Sequence, residues 1–312
     1  MTDPNLRLCY VDKSRGTRPC GDFMGADDRQ IDVLLWLPRG QGPFPLIVYC
    51  HGTNGMAGES LYLVEALTDA GFAFAAPEFP LTSREAHTGI AFADVTDAPE
   101  QVRDVSFVID SLLSDHDVQG LIDGKRIGLT GHSLGGVTTY FATFGMQCRE
   151  PRVRASVPIA ASDPVQSALS NGIGFAGVQH MPVSVPVLFL NAEKDLFARM
   201  AGRPGAAYTR VESPKHQILV SLGTHVWFHD GDDQPEDNRN PDCLWFDEYL
   251  PGIDIPGCEE RVPLIGAARQ REIAASAIVA FFEAYLNADP AALARLESIG
   301  ERFAEASYES LR

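Results

Sequence analysis

The chain has 312 residues, 45% of them hydrophobic and 21% charged, with a net charge of −17. That length and apolar content support a full core burying roughly three quarters of the unfolded surface, which excludes a disordered chain. The acidity excludes electrostatic attraction to nucleic acid or an anionic membrane surface, and no stretch is long and apolar enough to predict a membrane span.

In chain order, short β-rich runs alternate with helical stretches. The opening stretch MTDPNLRLCYVDKSRG has no apolar signal core, so the expectation is a cytoplasmic protein, or a secreted one if a leader has been removed. Residues 31–37 (IDVLLWL) and 44–50 (FPLIVYC) read as strands. A helix follows over 59–70, with Leu61, Val64, Leu67 and Ala70 at helical spacing. Residues 71–77 (GFAFAAP) form a third strand, and 98–114 a helix with a broad apolar face. Strands at 125–131 (KRIGLTG), 154–160 (RASVPIA), 185–191 (VPVLFLN) and 216–222 (HQILVSL) complete the set, with a helix at 134–145. Helices over 266–286 and 290–303 close the chain.

Several strands are continuous apolar runs, as parallel strands covered on both faces are. The alternation predicts an α/β fold with a mainly parallel sheet and helices on both sides. No repeat or linker divides the chain, so a single domain over 1–312 is expected. Residues 163–184 and 229–263 lack clear periodicity and read as cap or loop insertions; loops of this length often cover binding sites.

The six cysteines are Cys9, Cys20, Cys50, Cys148, Cys243 and Cys258. None stands in a C-x-x-C, so neither a zinc site nor a thioredoxin-like pair is indicated. Free thiols are the expectation for a chain without an export signal. Cys9/Cys20 and Cys243/Cys258 each bracket a loop-rich stretch and are the pairs a disulfide would join.

The chemistry is carried by Gly131-His132-Ser133-Leu134-Gly135, continued by Gly136, which fits G-x-S-x-G between a strand and a helix. A serine in so tight a turn stands clear of the backbone in a strained conformation. Strand and helix then approach too closely for side chains two positions before and two after it. The helix N-terminus also aims N–H groups at the serine. Flexible glycine turns carry the bare motif as well; the flanking strand and helix favour Ser133 as a nucleophile.

A serine hydroxyl needs a base, and the base an orienting acid. The expected chain order is Ser, then Asp or Glu, then His, each after a strand. AEKD after VPVLFLN offers Glu193 and Asp195; GTH after HQILVSL offers His225. Asp195 is preferred over Glu193 and over Asp163, and His225 over His229. His51 and His132 precede or adjoin the nucleophile, and His216 opens a strand at the wrong end of the sheet. Two N–H donors would stabilise the oxyanion, Leu134 after the nucleophile and Thr53 in the loop YCHGTNG. Met56, Phe79, Phe175 and Trp227 are the candidate substrate contacts, with Phe92 and Phe228 beside them. Asp230, Asp232 and Asp233 would disfavour anionic substrates if they face the cleft.

These landmarks, together with LTDAGFAFAAPEFP, APEQVRDVSFVIDSLL and AIVAFFEAYLNADPAAL, resemble those of the dienelactone hydrolase and platelet-activating-factor acetylhydrolase-like group of α/β-hydrolases. Bacterial polyester hydrolases and cutinase-like lipases look similar in core layout. The resemblance implies a sheet of about eight strands and the triad Ser133, Asp195 and His225. Dienelactone hydrolases proper carry a cysteine nucleophile; serine at 133 points to ester hydrolysis instead. The function expected is that of a serine carboxylic ester hydrolase acting through an acyl-enzyme on a short- to medium-chain or aromatic ester. It would need no metal or cofactor, and its partner would be a small-molecule ester. Acyl transfer, perhydrolysis and phospholipid acyl release share the same acyl-enzyme. A non-catalytic binding protein on this scaffold is the remaining reading.

Overall fold

The apolar runs form the middle of one sheet. The computed structural model describes residues 3–84, 93–161, 163–166, 172–175, 179–201, 206–231, 234–235 and 237–312. Among these, nine strands lie in the order β1-β2-β4-β3-β5-β6-β7-β8-β9. They are β1 (Leu6–Asp12), β2 (Arg29–Trp36), β3 (Phe44–Cys50), β4 (Ala73–Glu78), β5 (Ile122–His132), β6 (Val153–Ile159), β7 (Val187–Ala192), β8 (Lys215–Val220) and β9 (Ala306–Leu311). Strands β4, β3, β5, β6, β7 and β8 run parallel. β1 pairs with β2, β2 with β4, and β9 with β8, all antiparallel.

The fold is that of the α/β-hydrolases, with one strand more than the resemblance implies. β1 and β9 lie outside the runs read as strands. Both are edge strands whose residues alternate between partly buried or buried and exposed, so neither shows the continuous apolar signature of the centre. β9 follows the end of the last helical stretch, which divides into two helices, Pro290–Glu297 and Ile299–Arg302.

Helices α1 (Leu61–Asp69) and α7 (Ala267–Leu286), with the two C-terminal helices α8 (Pro290–Glu297) and α9 (Ile299–Arg302), pack one face. α2 (Ala98–Ser114) and α3 (Leu134–Phe144) pack the other. The chain therefore leaves β3 through a helix on one face and leaves β5 through a helix on the other. Strand order reverses between β3 and β5, and loops after such a pair open a crevice at the carboxyl ends of the strands. The loop at 51–55 and Ser133 both sit there.

Short helices outside the expected set include α4 (Leu196–Ala201), α5 (Ala206–Arg210) and α6 (Asp242–Tyr249). α6 belongs to the insertion at 229–263. Its Cys243 and Phe246 join Leu196 and Ile255 in a small separate core. Cys243 is bonded to Cys258, which overturns the free-thiol expectation for this pair; Cys9, Cys20, Cys50 and Cys148 remain thiols. A satellite core this small has little area of its own to hold it, and covalent closure of the loop compensates. Of the other proposed cap, 163–184, residues 167–171 and 176–178 lie outside the described residues, as does Phe92. No helix among the described residues is long and apolar enough to cross a membrane.

Candidate active site

β5 hands the chain to α3 through Ser133, whose φ of 55° and ψ of −118° lie where side-chain-bearing residues are rare. Its N–H donates to the Ile159 carbonyl at the end of β6 (2.9 Å), which fixes the turn from the neighbouring strand. The glycines record how close the backbones come. A Cβ on Gly131 would lie 2.5 Å from the Gly135 carbonyl oxygen. One on Gly135 would overlap the Cys50 carbonyl oxygen and stand 2.6 Å from that of His51. Gly52, in the loop after β3, faces the Ser133 Cβ.

His225 follows β8 and opens a short 3-10 turn, Val226–Phe228. Its Nδ1 donates to Asp195 Oδ2, just after β7, at 2.9 Å, and both residues are 3% exposed. This bond leaves Nε2 as the acceptor nitrogen of the neutral ring. Burial lowers the imidazole pKa, but the charge and hydrogen bond of Asp195, with Asp242 behind them, outweigh it; the net shift is upward. Phe197 stacks on the ring at 4.1 Å. No hydrogen bond joins the Ser133 hydroxyl to His225 among the described contacts; both line one cavity, and such bonds commonly tighten only when substrate binds.

The competing residues are engaged elsewhere. Asp163 takes a two-pronged bond from Arg210 (2.9 and 3.0 Å). Glu193 binds Lys194 and the Leu222 N–H. His229 lies on the cavity wall, with its Nδ1 2.9 Å from the Asp230 carbonyl. His51 is wholly buried, donating from Nδ1 to the Gly52 carbonyl (2.8 Å) and accepting the Phe79 N–H at Nε2 (3.0 Å). His132 donates from Nε2 to the His225 carbonyl (3.1 Å); burial, and then the charges of His225 and His229, hold it well below the usual imidazole range.

The cavity has a volume of about 600 Å³, within the range of small-molecule sites. Thr53 and Leu134 line it, and neither backbone N–H has a protein partner among the described residues. Of the expected substrate contacts, Met56 lines it. Phe79, Phe175 and Trp227 do not, contrary to the expectation. Phe79 is fully buried against His51, Phe175 stacks on Phe141 at 3.9 Å, and Trp227 is fully buried, as is Phe228. Position beside His225 in sequence says little about direction: a 3-10 turn after His225 carries Trp227 inward. The aromatic wall comes instead from Phe197 and from Trp245, Phe246 and Tyr249 of α6. Asp230 lines the cavity, whereas Asp232 and Asp233 lie outside the described residues.

Several supporting residues carry no sequence motif. Glu59 accepts from the Tyr49 hydroxyl (2.8 Å) and from the N–H groups of Gly52 (3.2 Å) and Met56 (3.1 Å), shaping the loop that holds Thr53. Gln270 of α7, wholly buried, accepts the Thr224 N–H (2.9 Å) and donates to the Thr224 carbonyl (2.7 Å), one residue before His225. Asp242 accepts backbone N–H groups beside both Asp195 and His225. Each is an ordinary acid or amide in the sequence, and nothing in its spacing says where it points.

Sheet order, the strained turn at Ser133 and the positions of Asp195 after β7 and His225 after β8 make the chain an α/β-hydrolase in fold. Known proteins agree. A family model described as Chlorophyllase matches residues 26–172. A cutinase, est2 of Thermobifida alba, is 22% identical over 215 residues, covering 68% of this chain and 60% of that protein. The putative esterase YitV of Bacillus subtilis (strain 168) is 27% identical over 148 residues, covering 46% and 54%. The chain thus spans little more than half the length of these relatives. A ferulic acid esterase structure from Streptomyces cinnamoneus superposes with a TM-score of 0.67 at 21% identity, over 97% of this chain and 95% of that one.

Proposed function

We propose that the protein is a serine carboxylic ester hydrolase. The observation that carries this reading is the Asp195–His225 pair, buried and hydrogen-bonded at 2.9 Å, opening on the same cavity as Ser133. Ser133 Oγ attacks the ester carbonyl while His225 Nε2 takes its proton. Asp195 holds the ring tautomer and stabilises the imidazolium. The N–H groups of Thr53 and Leu134 bind the oxyanion, and the imidazolium returns its proton to the leaving alcohol. Water, activated by the same nitrogen, then releases the acid and restores Ser133. His225 works as a base only when neutral, and its pKa is raised. Activity therefore falls as pH drops through a midpoint above the usual imidazole value of about 6.5.

The cavity walls support a neutral, apolar ester of short to medium chain length or with an aromatic group. Met56, Leu134, Trp245 and Leu250 line it, and among the described residues Glu59, Asp230 and Glu248 set carboxylates against one arginine, Arg84. The relatives named cutinase and esterase are in keeping with this class. The Cys243–Cys258 disulfide supports work in an oxidising compartment rather than the cytoplasm.

Hydrolysis of p-nitrophenyl acetate and butyrate tests the assignment. Ser133→Ala loses at least about a thousandfold in kcat/KM; a variant retaining more than about a thousandth of the wild-type value removes Ser133 from the role. Product analysis with an added alcohol separates hydrolysis from acyl transfer, since both pass through one acyl-enzyme.

A further inference from the structure

The insertion at 229–263 carries a buried acid that the hydrolytic scheme does not use. Asp242 is the first residue of α6 and is wholly buried. Its Oδ2 accepts the N–H of Leu196 (2.9 Å) and of His225 (3.3 Å), and its Oδ1 accepts that of Val226 (3.0 Å). A carboxylate that merely capped its helix would bond the first N–H groups of that helix; all three of these bonds leave it. They reach the residue after the candidate acid, the candidate base itself, and the residue after the base.

The surroundings hold Asp242 in place. Asn240, also buried, accepts the Asp242 N–H (2.9 Å) and donates to the Lys194 carbonyl (2.7 Å). Cys243, the next residue, closes the insertion through Cys258. Phe246 stacks on Phe197 at 4.4 Å, and Phe197 on the His225 ring. The two loops also meet directly, the Lys194 N–H donating to the Gly223 carbonyl (2.8 Å). Asp242 is thus not what brings them together; it sets the ends that carry the acid and the base.

We propose that Asp242 is a positioning residue, clamping the acid and base loops from the disulfide-closed insertion so that His225 stays aligned between Asp195 and Ser133. This rests on the ester-hydrolase reading of those three residues. The carboxylate touches no substrate. It spends its acceptors on the backbone of the two loops, and the disulfide one residue away keeps its helix from drifting. Misplacing a catalytic group by about 1 Å is enough to cost on the order of a hundredfold in rate.

The test is steady-state hydrolysis of p-nitrophenyl butyrate, with kcat expressed per Ser133 site titrated by a fluorophosphonate, so that misfolded protein does not count. Asp242→Asn keeps the size but turns an N–H₂ group towards backbone donors. It is expected to lower kcat per site by roughly ten- to a hundredfold while KM stays within about twofold of wild type. The double variant Cys243→Ala/Cys258→Ala leaves the carboxylate but frees α6, and is expected to lower kcat per site by a smaller factor. If Asp242→Asn labels normally and keeps the wild-type kcat per site, the clamp is overturned even if its melting temperature falls. If Asp242→Asn does not fold, the cysteine variant decides, and an undiminished kcat per site overturns the clamp. Failure of the wild-type protein to label at Ser133 overturns the hydrolase reading itself, a different result from either.

Discussion

The two sides of the cavity are built by different physics. On the Ser133 side, backbone meets backbone: the β5–α3 turn passes so close to Cys50 and His51 that positions 131 and 135 have no room for a methyl group. On the His225 side, polar side chains from distant segments converge on one loop: Asp195 after β7, Asp242 in the insertion, Gln270 on α7, and His132 reaching across from the elbow. One side forbids added atoms; the other forbids lost hydrogen bonds. Each should break in its own way.

The largest effect is expected at Gly135→Ala. The new methyl would overlap the Cys50 carbonyl oxygen, and its other nearest neighbours are also backbone atoms, with no side chain able to swing away. Overpacking against atoms that cannot move costs about 3 kcal/mol or more. Urea unfolding measures it, and a variant with wild-type stability would show that the elbow is not held by close backbone approach.

A smaller effect, of the other kind, is expected at Gln270→Ala. The substitution adds no clash but strips both partners from the Thr224 backbone, which is fully buried. Each unpaired buried group costs about 1–3 kcal/mol, and water entering the vacated space offsets part of it; a net loss of about 2 kcal/mol is expected. Because Thr224 precedes His225, kcat should fall about tenfold at the same time. A loss of stability with unchanged kcat would separate the loop anchor from the base and weaken the comparison.

This difference also governs what the sequence discloses. Close backbone packing requires glycine, and glycine at two fixed offsets from a serine is a readable pattern, so the Ser133 turn and the parallel core around β3 and β5 are legible. So is the alternation that sets chain order for Asp195 and His225. Side-chain clamps leave no such trace. Gln270 sits inside an amphipathic helix as an ordinary polar residue, and Asp242 stands in a stretch without periodicity. Of the expected substrate contacts, Met56 lines the cavity and Phe79, Phe175 and Trp227 do not; an apolar residue type, or for Trp227 nearness to His225, does not fix the direction of a ring, which follows from local turns and packing. β1 and β9 escape the reading because, as edge strands, they alternate between buried or partly buried and exposed residues instead of running continuously apolar.

The smallest expected effect has the opposite sign. Ser133 holds a backbone conformation that costs a residue with a Cβ about 1–3 kcal/mol. Glycine adopts it freely but loses more chain entropy on folding, by about 0.5–1 kcal/mol. Ser133→Gly should therefore stabilise the protein by about 1 kcal/mol, raising the melting temperature by roughly 2 °C for a domain of this size, while removing the proposed nucleophile. Ser133→Ala keeps the Cβ and the strain, so it should stay within about 0.5 kcal/mol of wild type. The pair of variants isolates the backbone term from the loss of the hydroxyl. If glycine and alanine at 133 give equal melting temperatures, the strain in the turn is no larger than the entropy cost of glycine, about 0.5–1 kcal/mol, and the Ser133 side of the cavity is held mainly, like the His225 side, by its bonds rather than by its backbone.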